Sequence, residues 1–128
     1  MVVKSSVPCP FCANSGTDSN RSAKAFADIY PISKGHFLVV PKCHVGSLFE
    51  LTESERAAVW ALAGKVRAML NKKYRPSGFN IGLNDGAAAG QTIGHAHVHV
   101  IPRYAGDAKD PRGGVRWVLP KKAKYWKD

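Results

Sequence analysis

The run Gly94-His95-Ala96-His97-Val98-His99-Val100-Ile101 constrains this chain more than any other stretch. In an extended backbone side chains alternate between two faces, so His95, His97 and His99 project together while Ala96, Val98 and Val100 point the other way. The apolar set predicts a buried face, and the imidazoles predict a row of ring nitrogens opposite it. The segment reads as a strand from Gly94 to Ile101, stopped by Pro102. The 128 residues hold 5 histidines, so three in strict alternation point to a site rather than to scattered surface positions. Imidazoles, with an unperturbed pKa of about 6.5, can coordinate a metal, move protons or attack phosphorus directly. Spacing alone leaves two chemistries open. In one, the rings hold a catalytic metal whose remaining position carries water. In the other, the central ring is a nucleophile and its neighbours orient it.

Such a strand needs partners. His36-Phe37-Leu38-Val39-Val40, ending at Pro41, and Phe79 to Asn84, ending at Asp85-Gly86, read as strands bounded by breakers, with weaker candidates at Ala25 to Ile29 and Val115 to Leu119. Thr52-Glu53-Ser54-Glu55 has the spacing of a capping box, and Val59, Leu62, Val66, Met69 and Leu70 recur at threes and fours. This predicts one amphipathic helix from 53 to about 73. Ala13 to Arg21 and Ala105 to Gly114 are turn-rich and read as loops. The chain has no internal repeat and no linker long enough to separate a second domain, and its length suits one domain. One long helix among short strands predicts an α+β domain, an antiparallel sheet of about five strands covered by the helix.

Cys9-Pro10-Phe11-Cys12 is the second informative motif. Two thiols at this spacing can converge on one metal, and an odd total of 3 cysteines argues against a disulfide framework. A metal knuckle and a pair of reduced thiols are the two readings. The balance of 19 Lys+Arg against 9 Asp+Glu gives a net charge of +10, and much of the excess lies beyond Ile101. That field concentrates any polyanion, whether nucleotide, nucleic acid or anionic lipid. A nucleic-acid or nucleotide-binding module with a basic C-terminus therefore stands beside an enzyme as an alternative. The longest near-apolar stretches, Phe37 to Pro41 and Ala57 to Ala63, fall far short of the roughly 20 residues that span a bilayer. The opening MVVKSSVPCPFC has no apolar run of signal-peptide length. No membrane association and a cytoplasmic location are expected.

Gly90-Gln91-Thr92-Ile93-Gly94-His95-Ala96-His97-Val98-His99-Val100-Ile101-Pro102-Arg103 resembles the signature of the histidine triad (HIT) superfamily, the nucleotide hydrolases and transferases of the Hint and Fhit branches. The likeness continues through Lys34 to Lys42 and Phe79 to Gly86, covering most of residues 25 to 104. Asp110-Pro111-Arg112-Gly113-Gly114-Val115-Arg116 resembles bacterial members known as diadenosine tetraphosphate hydrolases. The resemblance implies a single HIT-like domain over 1–128, with 1–24 as zinc knuckle and loop and 105–128 as basic tail. It implies cleavage at the α-phosphate of a diadenosine polyphosphate, nucleoside phosphoramidate or related conjugate through a covalent histidine-nucleotidyl intermediate, with no organic cofactor. His97 becomes the nucleophile, and His99 and His36 line the phosphate and leaving-group side. Thr92 falls near the scissile bond, Asn84 and Gln91 at phosphate-contacting positions, and Asp28 at the ribose hydroxyls. A structural zinc on Cys9, Cys12, His44 and His95 is implied, with His44 preferred to its neighbour Cys43. A homodimer is implied as well, and nucleic acid is not the favoured partner. A hydrolase whose triad itself binds the metal remains the other enzymatic reading.

Overall fold

Five strands pair antiparallel in the order β1-β2-β3-β5-β4. They are β1 (Asp18–Ser19), β2 (Ala23–Ala27), β3 (Phe37–Pro41), β4 (Gly78–Gly82) and β5 (Val98–Arg103). The computed structural model describes residues 9–128, so the first eight positions of the expected 1–24 segment lie outside the described residues. Among the described residues three helices accompany the sheet: α1 (Pro10–Ala13), α2 (Glu53–Tyr74) and α3 (Pro120–Ala123). The expected α+β architecture is observed, with one long helix on an antiparallel sheet.

Alternation along the strands divides the sheet into two unlike faces. Ala23, Ala25, Val39, Val98 and Val100 are buried in one core with Val59, Leu62, Val66 and Leu70 of α2. Each large side chain buried there contributes about 1.5–3 kcal/mol, so the stability of the domain resides on this face. The other face carries a smaller cluster, Phe26, Leu38 and Val40, with Phe11 packed against it. Register places Phe26 opposite Leu38, Leu38 opposite His99, and His99 opposite Gly82. One row across the sheet thus runs from packed apolar residues to a histidine and then to a position with no side chain.

Helix α2 begins where the sequence predicts. Glu55 N–H donates to Thr52 Oγ1 (3.2 Å) and Thr52 N–H donates to Glu55 Oε1 (2.9 Å), completing the capping box. The helix ends at Arg75, which adopts a left-handed conformation (φ 49°) before Pro76 prevents continuation.

Three local expectations differ. The central strand starts at Val98 rather than Gly94, because Ala96 N–H donates to the Val45 carbonyl (2.8 Å) and not to a neighbouring strand. The expected strand Val115 to Leu119 is a 3₁₀ turn over Gly114–Val118, entered through Gly113 (φ 92°) and Gly114 (φ 42°) and followed by Pro120. Within the expected loop Ala13 to Arg21, β1 pairs with β2 through a tight turn. Asn20 Oδ1 accepts from Ser22 N–H (3.0 Å) and Ala23 N–H (2.8 Å), while Asn20 Nδ2 donates to Ala58 O of α2 (2.8 Å).

The basic C-terminal stretch folds on itself, and its Val115 and Val118 line a cavity of the domain. Arg116 donates to the carbonyls of Ala123 (2.7 Å) and Lys122 (2.9 Å), Ala123 is fully buried, and the Arg112 guanidinium lies 4.8 Å from the Trp126 ring centre. Among the described residues no helix is long and apolar enough to cross a membrane.

Candidate active site and metal centre

The knuckle is made by one turn of helix. Cys9 is the N-cap of α1 and Pro10 occupies its first position, so Cys12 returns over Cys9 and donates its N–H to Cys9 Sγ (3.4 Å). His95 Nδ1 lies 3.4 Å from Cys9 Sγ and 3.5 Å from Cys12 Sγ. His44 Nδ1 lies 3.2 Å from both Cys12 Sγ and His95 Nδ1. A tetrahedral ion with the bond lengths zinc makes would separate its sulfur and nitrogen ligands by about 3.5 Å and its two nitrogens by about 3.3 Å. Cys9, Cys12, His44 and His95 therefore fit a metal, and they form a candidate metal-binding group. His95 supports the same assignment from behind. Its Nε2 donates to the Pro41 carbonyl (2.8 Å), which leaves the Nδ1 lone pair directed at the thiols. Burial lowers the pKa of His95, favouring the neutral imidazole that a ligand must be. Burial and Cys9 push the Cys12 thiol up, opposed by Lys24. Lys24 is itself buried and donates to the Cys12 carbonyl (3.4 Å) and the Asn14 carbonyl, tying the knuckle to β2. Cys43 turns elsewhere, toward Glu55 Oε2 (3.9 Å).

Beside the knuckle, backbone groups decide where the histidine protons sit. The Nδ1 of buried His97 is 2.9 Å from the His95 carbonyl. A carbonyl only accepts, so Nδ1 carries the proton and Nε2 keeps an unshared pair. At His36 the order is reversed. Ile32 N–H donates to His36 Nδ1 (3.2 Å), so the proton is on Nε2, which faces His99 Nδ1 at 2.9 Å and Asp28 Oδ2 at 3.5 Å. His99 accepts at Nδ1 and therefore carries its own proton on Nε2. The His97 and His99 rings, 5.1 Å apart between centres, are thus opposite tautomers. One presents a lone pair at Nε2, and the other presents a proton.

Asp28, His36 and His99 also bring ligand-type atoms within 4.8 Å of one another. A metal there would need a lone pair on His36 Nε2, which the Ile32 N–H at Nδ1 denies. The cluster is better described as a hydrogen-bonded relay.

Burial, then His97 and His36, push the His99 pKa down to about 4, against the pull of Asp28. Burial lowers His36 as well, again opposed by Asp28. Both rings are neutral at physiological pH. Because the folded value of His99 lies below the unfolded 6.5, the unfolded chain binds the proton first as pH falls. Stability from this source is complete above about 6.5 and declines toward about 4. Urea midpoints should fall across that window, and His99→Gln should flatten some of the decline; an unaltered slope would refute the assignment.

Asp28, His36 and His99 open onto a cavity of about 460 Å³ whose wall also includes Asn80, Gly82 and Asn84, while His97 is buried beside it and outside that wall. Asp28 is held in place by Tyr30 N–H, which donates to Oδ1 (2.9 Å). A side chain at Gly82 would meet no atom within 4 Å, so the space opposite His99 is free. Exposed apolar residues flank the mouth: Tyr30 (80%) and Ile32 (74%) on one side, Val115 (69%) and Val118 (72%) on the other. This is the chemistry of a slot for a flat, partly apolar group.

Not every expected residue reaches the cavity. Gln91 is buried and its amide is engaged three times, accepting from Gly86 N–H (2.9 Å) and donating to the carbonyls of Gly46 (2.8 Å) and Ile93 (3.0 Å). It braces the loop that carries Asn84. Thr92 is exposed on the same loop and lies outside the cavity wall. Conversely, Tyr30, Ile32, Asn80, Val115 and Val118 line the cavity, although no motif in the sequence marks them as site residues. Their one sequence signal is large apolar residues beside Pro31 and Gly113-Gly114, where breakers interrupt any strand that would bury them.

Residues 18–106 match the HIT domain family. The chain is 44% identical over 85 residues to the AP-4-A phosphorylase of Mycobacterium tuberculosis, a match covering 66% of this chain and 44% of that protein. It is 43% identical over 83 residues to the asymmetrical bis(5'-nucleosyl)-tetraphosphatase of Schizosaccharomyces pombe, covering 65% of this chain and 46% of that one. The matched segment thus spans less than half the length of these curated relatives. Among solved structures, a Zn-bound histidine triad family protein from Mycobacterium smegmatis superposes with a TM-score of 0.71 at 32% identity, over 80% of this chain and 79% of that one. With the family match, the sheet order and the three histidines in agreement, the chain belongs to the HIT domain family.

Proposed function

We propose that the protein cleaves a dinucleoside polyphosphate, or a related nucleotide conjugate such as a nucleoside phosphoramidate, at the α-phosphorus by covalent catalysis on His97. The observation that carries this reading is the pair of opposite tautomers at His97 and His99. His97 Nε2 donates its lone pair to phosphorus, a P–N bond forms, and the P–O or P–N bond to the leaving group breaks. A departing polyphosphate leaves as its anion, accepting a hydrogen bond from His99 Nε2–H, and a departing amine takes its proton from solvent. His36 Nε2–H holds His99 in this tautomer through the 2.9 Å contact at Nδ1. Water then displaces the ring and releases a nucleoside monophosphate. Asp28 accepts from the ribose hydroxyls and Asn84 donates to phosphate, with Gln91 holding that loop from behind. The base lies between Tyr30 and Ile32 on one side and Val115 and Val118 on the other. Zinc on Cys9, Cys12, His44 and His95 supplies a structural cross-link, since protein fills all four positions. The names of the two curated relatives support the substrate class, and the Zn-bound neighbour supports the ion. Action on free nucleotides suits a cytoplasmic location.

The test is a panel containing diadenosine tetraphosphate, diadenosine triphosphate and adenosine phosphoramidate. Release of adenosine monophosphate from at least one is expected, and release from none would overturn the reading. Gly82→Val should raise KM by about tenfold, equivalent to ~1.4 kcal/mol of binding, by filling the space opposite His99. Its melting temperature should be retained, because a Cβ at this position meets no neighbour within 4 Å. An unchanged KM would place the nucleotide elsewhere.

A homodimer belongs to the same proposal. Strand β4 is at the sheet edge with Ile81 exposed, and Trp60 of α2 is 44% exposed. A C2 pair can cover such surfaces. Light scattering should give twice the 13.9 kDa chain mass, and a concentration-independent monomer would exclude it.

A further inference from the structure

The imidazole of His97 has one hydrogen bond, from Nδ1 to the His95 carbonyl (2.9 Å). A single bond fixes one direction in the ring and leaves the ring free to swing about it. Two aromatic neighbours limit that swing. His99 lies on one side, 5.1 Å between centres at 65°. Phe11, the residue between the two cysteines of the knuckle, lies 5.1 Å away at 72°. The latter is an edge-to-face contact of the favoured kind. Phe11 also meets His95 at 6.0 Å and 73° and Phe26 at 5.5 Å. It is half-buried and packs on the Phe26, Leu38 and Val40 cluster.

We propose that Phe11 is a positioning residue for His97, and that the Cys9–Cys12 turn holds it there. The inference rests on the nucleophilic role proposed for His97. Phe11 has no polar side-chain atom and is absent from the cavity wall, so it acts through the His97 ring. Its backbone is held from both flanks, by Cys9 and Cys12 and by Lys24 donating to the Cys12 carbonyl. His95 joins the two sites a second time, since its ring belongs to the candidate metal group and its carbonyl accepts from His97 Nδ1–H. A nucleophile displaced by about 1 Å can lose up to about 10²-fold in rate, with substrate affinity untouched.

Phe11→Ala, Phe11→Leu and Phe11→Tyr should be prepared alongside the parent. For each, zinc per chain, kcat and KM on the panel substrate, and the ring-nitrogen NMR signal of His97 should be recorded. The His97 signal is assigned by its loss in His97→Ala. All three variants are expected to keep about one zinc, as closed four-ligand sites do. The parent should show the proton at Nδ1, on the His95 carbonyl. Phe11→Leu and Phe11→Ala should show a displaced His97 ring-nitrogen signal and a kcat reduced about tenfold or more at unchanged KM. Phe11→Tyr, which retains the ring edge, should recover the parental values. Parental kcat and an unaltered His97 signal in Phe11→Leu would overturn the proposal, as would failure of Phe11→Tyr to recover. Loss of zinc from both Phe11→Leu and Phe11→Ala would also overturn it, leaving Phe11 as packing for the knuckle alone. A parent inactive on the whole panel would defeat the proposed function, while the His97 ring-nitrogen signals would still decide the role of Phe11.

Discussion

His97→Ala is expected to lower turnover by at least about 10⁴-fold while nucleotide binding persists. The size follows from what is removed. His97 Nε2 has its lone pair exposed by the backbone bond at Nδ1, whereas His99 and His36 both carry protons on Nε2. Neither neighbour can substitute as nucleophile without exchanging tautomers along the whole relay. Binding should survive because Asp28, Asn84 and the apolar flanks form the cavity without His97. Rapid quenching with a good leaving group should trap a nucleotidyl adduct on the peptide that holds His97. Two successive displacements retain configuration at phosphorus. Inversion, or substantial activity in His97→Ala, would defeat covalent catalysis and leave direct attack by water.

Removal of the metal is expected to have the second largest effect. Cys9, Cys12, His44 and His95 come from an N-terminal turn, the segment after β3 and the approach to β5. One ion there cross-links three regions, and structural zinc adds its binding energy directly to folding. A loss of about 3 kcal/mol or more corresponds to a fall in Tm of roughly 10 °C or more for a domain of this size. Chelation and Cys12→Ser should each produce it, with loss of zinc by elemental analysis. Cys43→Ser is the control, because that thiol faces Glu55 outside the group. A Tm unchanged by chelation would rule out a structural role, and full zinc in Cys12→Ser would rule out this ligand set.

The sheet and the long helix were legible because they follow from short-range rules, whereas the grouping of Cys9 and Cys12 with His44 and His95 was reached only through the family resemblance. Alternation identified which face of β5 is buried, and the Thr52 capping box located the start of α2. What escaped depends on remote partners. Gly94 to His97 looks like strand by periodicity, but its ladder partner is replaced by Val45, a loop residue that no local pattern connects to Ala96. Val115 to Leu119 has strand composition, yet two positive-φ glycines turn it into the rim of the cavity. Gln91 reads as a polar residue free for phosphate, and its three bonds to backbone groups appear only once the loop is closed. Phe11 reads as filler between two cysteines, and its contact with His97 spans most of the chain.

That span has a consequence in time. Cys9 and Cys12 are local to each other, but Cys12 and His44 are 32 positions apart, His36 and His99 are 63, and Cys9 and His95 are 86. Closing such long loops is entropically costly and belongs to the late stages of folding. The hairpin of β1 and β2 and the helix α2 are built from near neighbours, whereas the histidine row and the Cys9, Cys12, His44 and His95 group join distant parts of the chain, which places their closure late by loop entropy. Interactions completed after the folding transition state slow unfolding rather than hasten folding. A bound ion at Cys9, Cys12, His44 and His95 therefore acts on how long the domain stays shut, and little on how fast it first assembles.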